Sequence, residues 1–183
     1  MVRCNCVALA GSVLGAGSIL LPWLTVRSSR LAAGDGLSLL ETAGPAALVV
    51  AALWFGSIAA SLGAGSERKS ILFGICSALL LPITLLIAGT AATDLLATAE
   101  RTARASLGAG IWVSLLAAYV LIHTSQTELK ARTRLRRIIS WSGPAAVMLF
   151  GMLGLYSDIS LMREFAGNEQ RFAQEAVRHL TLA

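Results

Sequence analysis

The sequence has few side chains that could do chemistry, and their spacing does not match a known catalytic or metal-binding motif. Cys4 and Cys6 form a CxC pair, which is only half of a four-ligand zinc site. The same two thiols could equally be unreactive residues or juxtamembrane palmitoylation sites. His123 and His179 fall on opposite sides of an apolar run, and Asp94 follows another. The sequence contains no Ser/His/Asp set, Walker-type loop or dinucleotide fingerprint. It therefore predicts no catalytic, cofactor-binding or metal site, and a protein that is not an enzyme.

One short segment carries a dense positive charge. Five cations fall within residues 130–137, immediately before an apolar run: Lys130, Arg132, Arg134, Arg136 and Arg137. Nucleic-acid binding requires a folded reading module or interleaved aromatic residues, and Trp141 is the only ring nearby. Cations beside a membrane span instead mark the cytoplasmic side and attract anionic lipid, each contributing about 1 kcal/mol. We interpret the segment as a topology signal and anionic-lipid contact, with a protein partner as the alternative and no nucleic-acid partner.

The elements that carry these residues are long and apolar. Of the 183 residues, 56% are hydrophobic and 14% are charged, whereas a soluble domain has roughly 25% charged residues. A membrane-spanning helix needs about 20 apolar residues. Because the runs are apolar on every side rather than alternating, they are typical of helices and not of barrel strands. Five stretches without Asp, Glu, Lys or Arg have this length: Val7–Val26, Ala43–Ala64, Ile71–Ala92, Ser106–Thr124 and Ile138–Tyr156.

The predicted fold is therefore an all-α, polytopic transmembrane helix bundle over residues 1–157, in the cell membrane with the lipid bilayer as its solvent. The density of cations at 130–137 predicts a cytoplasmic N-terminus and an extracytoplasmic C-terminus. The first apolar run, with Arg3 before it, also has the pattern of a secretory signal peptide. Cleavage there would leave four spans in the same orientation.

Small residues four positions apart predict close helix packing, because packing drives helix association in lipid. Pro82 lies in the middle of the third span and predicts a kink. Pro144 follows a glycine and is expected to open the fifth span. The similarity of AGPAALV (43–49) to SGPAAVM (142–148) fits either an inverted transporter repeat or a coincidence of composition. The predicted packing residues are Gly11, Gly15, Gly56, Ala60, Gly74 and Ala78.

Residues 158–183 have the pattern of an extracytoplasmic amphipathic helix, interrupted at Gly167–Asn168. Its mixed charge favours a protein contact over a lipid contact. A second short exposed helix is predicted within TDLLATAERTARAS (93–106). The residues expected to contact a partner are Leu161, Phe165, Phe172, Val177 and Leu180.

These features favour a non-enzymatic accessory or structural subunit of a membrane complex, with other membrane subunits as partners. The alternative is a component of a small-solute transporter or channel. Pro82 and the threonines near the end of the third span favour this alternative.

Overall fold

The computed structural model describes residues 5–29, 32–62, 67–99, 102–129, 132–168, 174–175 and 177–178. The described chain is 74% helix. Its seven α-helices are α1 (Cys6–Gly17), α2 (Leu39–Ala43), α3 (Ala46–Ser61), α4 (Glu67–Ala97), α5 (Ala109–Glu128), α6 (Thr133–Met152) and α7 (Ser160–Ala166), and a 3₁₀ turn, Ser18–Leu20, follows α1. Its three strands are β1 (Leu24–Arg27), β2 (Asp35–Leu37) and β3 (Arg104–Leu107).

The helices begin where local signals favour a start. The side chain of Asn5 accepts a hydrogen bond from the backbone N–H of Ala8 and caps α1. Ser38 and Glu41 form a reciprocal capping box at α2. Pro45 stands directly before α3, where its missing N–H costs nothing.

The five longer helices α1, α3, α4, α5 and α6 form a bundle in which consecutive members run in opposite directions. The strands lie between α1 and α3 and between α4 and α5 along the chain, so one end of the bundle, the sheet end, carries β1, β2 and β3. At the opposite end, the backbone N–H of Asn5 donates to the carbonyl of Ser61. The start of α4 also lies there, since Lys69 and Phe73 border the same small pocket as Asn5 and Ser61. Leu129 and Ile139, near the end of α5 and the start of α6, pack with Ile71 of α4. We call this the basic end, because Arg68, Lys69 and the arginines of α6 lie on it.

The bundle buries hydroxyl groups beside its hydrophobic core and exposes apolar side chains on its outer surface. Fully buried hydroxyls lie between the helices, and each bonds within the protein; Ser12, for example, donates to the carbonyl of Ala8 at 2.8 Å. The outward surface is apolar, with Phe55 62% exposed and Tyr119 63% exposed. This distribution matches hydrocarbon as the surrounding solvent. The fully buried hydroxyl residues are Ser12, Ser18, Ser57, Ser77, Thr84, Ser114 and Ser125.

Two helical segments have the length and hydropathy needed to cross a bilayer, Arg68–Ala97 and Ala109–Thr127. The apolar helices at Cys6–Leu20 and Ala46–Ser61 are shorter. The expectation of a mostly helical protein is confirmed, whereas the number of crossings stays a prediction.

The fold is not purely helical, which corrects the all-α expectation. An antiparallel sheet forms in the order β2-β1-β3. The first predicted span ends early because Leu21 precedes Pro22 and takes an extended conformation, as residues before proline do. Its last residues, Leu24–Val26, pair in β1 instead.

Two further local predictions are wrong. Residues 104–107 form β3 rather than part of an exposed helix, because β1 supplies their hydrogen-bond partners. Pro144 lies inside α6 rather than at its start, since α6 already begins at Thr133.

Candidate functional site

The arginines at the basic end lie at the start of α6. Arg134, Arg136 and Arg137 are exposed there, Arg132 is exposed just before the helix, and Lys130 lies outside the described residues. The N-terminus of a helix carries a partial positive charge, so cations near it are locally unfavourable. The helix dipole of α6 therefore does not explain why these side chains lie there.

Three of the glycines singled out in the sequence lie at close helix contacts. A Cβ added to Gly15 would overlap the indole ring of Trp54 in α3. A Cβ on Gly11 would lie 3.1 Å from Leu121 of α5, and one on Gly74 would lie 2.7 Å from Ile139 of α6. These positions thus bring α1 against both α3 and α5, and α4 against α6.

The other small positions have more room or lie within larger contacts. A Cβ on Gly56 would have the Cys76 sulfur at 3.7 Å, an ordinary contact. Ala60 is buried in the main core, and Ala78 packs against the smaller cluster of Ile122, Leu129 and Ile139.

Pro82 lies inside α4, and the helix continues past it to Ala97. Two residues later, the Thr84 hydroxyl lies 3.4 Å from the Ser114 hydroxyl of α5, and both residues are fully buried. This pair is a polar link between α4 and α5 in the interior of the bundle. Thr90 is exposed and bonds only to carbonyls of its own helix.

Part of the predicted partner-contact stripe lies on α7. Leu161 is 62% exposed, and Phe165 and Val177 are also exposed. Phe172 and Leu180 lie outside the described residues. In the described chain α7 buries none of its residues.

Among the described residues, the side chains that could do chemistry do not form a cluster; Cys4 and His179 lie outside the described residues. Asp94 and His123 are exposed on α4 and α5, Cys6 is exposed, and Cys76 is buried. Within the described ranges, no group of three or more His, Cys, Asp or Glu residues could hold a metal ion.

The structure adds one feature that the sequence did not reveal, a cleft between β3 and α7 at the sheet end. Ile159 forms a parallel bridge with Ala105, and the Ser160 hydroxyl donates to the Ala105 carbonyl at 2.7 Å. These contacts fix α7 against β3. Arg163, one turn further, donates from Nη1 to the Ala103 carbonyl at 3.3 Å.

We call this feature the sheet-end cleft. It comprises two adjoining cavities, each of about 620 Å³, which share Ala103 and Arg163. Across it, Arg104 Nη1 lies 3.7 Å from Glu164 Oε1. Arg104 and Arg163 are far apart in the sequence, so no local spacing could have predicted their meeting.

Apolar helix surfaces, an interior of small and hydroxyl residues, and a basic end together define a helical membrane protein. A family model described as "ABC transporter permease YehY, N-terminal domain" matches residues 3–162. The chain belongs to this family. No curated protein and no solved structure matches it significantly.

Membership makes the protein a transporter-related membrane component. The family indicates a transporter rather than an enzyme, and it implies partners within a membrane complex, such as ATPase subunits. The predictions of a membrane protein with membrane-complex partners are confirmed at this level.

Proposed function

We propose that the chain is a non-enzymatic accessory domain of an ABC transporter that crosses the membrane five times beside the solute path. The supporting observation is the apolar outer surface of a bundle that belongs to an ABC permease family. Its outward side chains meet lipid or another membrane helix, and its hydroxyls are bonded inside.

The proposed crossings are α1 with its 3₁₀ turn, α3, α4, α5 and α6. Residues 6–20 and 46–61 rise about 22–24 Å at 1.5 Å per residue, less than the roughly 30 Å of the hydrocarbon core. Local thinning of the bilayer accommodates such short spans at a modest cost. Five helices that alternate in direction would begin and end on opposite sides of the membrane.

The basic end is proposed to face the cytoplasm. Lys130, Arg132, Arg134, Arg136 and Arg137 then contact anionic headgroups on that side, where anionic lipid is concentrated. The sheet end and residues 158–183 face the opposite side.

The bundle is proposed not to enclose the solute path itself. Trp54, Leu80 and Leu121 are fully buried and fill the space between the helices. A path for a polar solute would need hydroxyls turned toward an opening, whereas Ser77 and Ser125 donate to carbonyls of their own helices.

The alternative is that this domain lines part of the solute path. The Thr84–Ser114 pair beside Pro82 favours it, because a proline leaves one carbonyl of its helix without the usual N–H partner. Solute flux in reconstituted vesicles separates the two candidates. Loss of flux on Thr84→Val with an intact complex supports the alternative, whereas unchanged flux supports the accessory role.

Purification from native membranes in mild detergent tests the accessory role. We expect the chain to carry an ATPase subunit and other membrane subunits with it. Deletion of residues 158–183 should weaken the contact made through Leu161 and Phe165 while leaving a folded bundle. A protein that purifies alone, and that behaves the same after the deletion, would contradict the proposal.

Single cysteines test the orientation. In a background without Cys4, Cys6 and Cys76, we expect a membrane-impermeant thiol reagent applied to intact cells to label a cysteine at Ser157 and spare one at Thr133. Labelling at Thr133 alone would reverse the proposed orientation, and labelling at both after membrane permeabilisation is the control for access.

A further inference from the structure

The sheet-end cleft has the dimensions of a ligand site. Each of its two cavities measures about 620 Å³, within the roughly 300–1,000 Å³ typical of small-molecule sites. The cleft is distinct from the proposed partner contact, because neither Leu161 nor Phe165 lines it.

Arg163 lines both cavities, and its guanidinium has donors to spare. A guanidinium carries five N–H donors. In the described chain, the single hydrogen bond of this side chain goes to the Ala103 carbonyl at 3.3 Å, which is long for such a bond. The Ser160–Ala105 contact one turn earlier holds this part of α7 against β3, and the bond to Ala103 places the guanidinium at the cleft.

The second wall supplies another guanidinium, Arg104 on β3, whose side chain is 32% exposed. Guanidinium groups match planar carboxylates through two parallel hydrogen bonds. Glu164 and Asp158 also line the cleft and oppose a multiply charged anion. The two carboxylates therefore disfavour a ligand with more than one negative charge, and the spare donors of Arg163 are what would attract a carboxylate.

The cavity beside Asp158 also has an apolar wall. Leu96, Ala97 and Ala99 line it between α4 and β3. A short hydrocarbon group attached to the carboxylate would contact these side chains while the carboxylate stays at Arg163.

We propose that the sheet-end cleft binds a small organic monocarboxylate with a short apolar body, held by Arg163 and assisted by Arg104. Arg163 remains accessible to water, so the expected dissociation constant is in the millimolar range. This inference does not depend on the accessory role, and ligand binding is measured without the transporter complex.

Ligand-detected NMR of the full chain in lipid nanodiscs tests the proposal, with sodium butyrate and sodium acetate as probes. Ionic strength is held constant with sodium chloride, and empty nanodiscs correct for partitioning into lipid. We expect saturable binding of both probes, with butyrate bound about threefold more tightly because part of its chain is buried.

Three variants locate the site. Arg163→Gln should weaken butyrate binding about tenfold, since it removes a charge-assisted hydrogen bond. Arg68→Gln is the matched control, because Arg68 is an exposed arginine at the basic end, away from the cleft, and it should leave binding unchanged. Glu164→Gln should tighten binding about threefold, because it removes a nearby negative charge. A misfolded protein would not produce this gain.

Several results would overturn the proposal. They are the absence of saturable butyrate binding by the unmodified protein, equal affinities for Arg163→Gln and Arg68→Gln, or weaker binding by Glu164→Gln. Displacement of butyrate by sulfate more effectively than by acetate at equal ionic strength would also refute a carboxylate site.

Discussion

Replacing Gly15 with alanine tests how tightly α1 packs in the bundle. The new methyl group would overlap the six-membered ring of Trp54, which is fully buried in the main core. Either α1 must move away from α3, or the indole must leave its position. Overpacking of this kind costs about 1–3 kcal/mol.

Gly17→Ala is the matched control, because nothing lies within 4 Å of a Cβ added there and Gly17 belongs to the same helix. Alanine favours a helix over glycine by about 0.8–1 kcal/mol. Because both variants exchange glycine for alanine in α1, this gain largely cancels in their comparison. We therefore expect Gly15→Ala to unfold more easily than Gly17→Ala by about 1–3 kcal/mol.

The assay is reversible unfolding in mixed detergent micelles, followed by far-ultraviolet circular dichroism. Trp54→Phe removes the ring atoms that the new methyl group would overlap, and in the described chain the indole N–H has no hydrogen-bond partner to lose. Combining it with Gly15→Ala should recover about 1–2 kcal/mol relative to the sum of the single effects. Equal stabilities of the two alanine variants, or strictly additive effects with Trp54→Phe, would refute the close contact.

Three further expectations concern other regions. The Ser38 hydrogen bonds lower the pKa of Glu41. The stability they give to α2 is therefore present above the unfolded-state pKa and is lost as pH falls through the folded-state pKa. Amide hydrogen exchange in α2 should accelerate over that pH range in the wild type and not in Glu41→Gln. Thr84→Val and Ser114→Ala should each destabilise the bundle by about 0.5–1 kcal/mol. Their effects should be non-additive in a double-mutant cycle, and additive effects would argue against a hydrogen bond between the two hydroxyls. Gly89→Ala would place a Cβ against a backbone carbonyl in the turn after α6, and we expect it to lower the unfolding midpoint by more than Gly17→Ala does.

Part of the candidate site was accessible to sequence reasoning. The arginines of 130–137 are adjacent in the chain, so a window of ten residues reveals their density. The two members of each small-residue pair are also close in the chain, although the sequence could not identify which residues of other helices they contact. Trp54 as the neighbour of Gly15 became evident only when α1 and α3 were brought together.

Composition and the length of the apolar runs determined by themselves that this is a mostly helical membrane protein, because a helix satisfies its backbone hydrogen bonds within one segment. Only the tertiary structure decided the sheet and its cleft. A strand takes its hydrogen-bond partners from elsewhere in the chain, so Leu24–Arg27 carries too short a pattern to reveal β3 as its neighbour. For the same reason, Arg104 and Arg163 acquire a shared role only after β3 and α7 have docked.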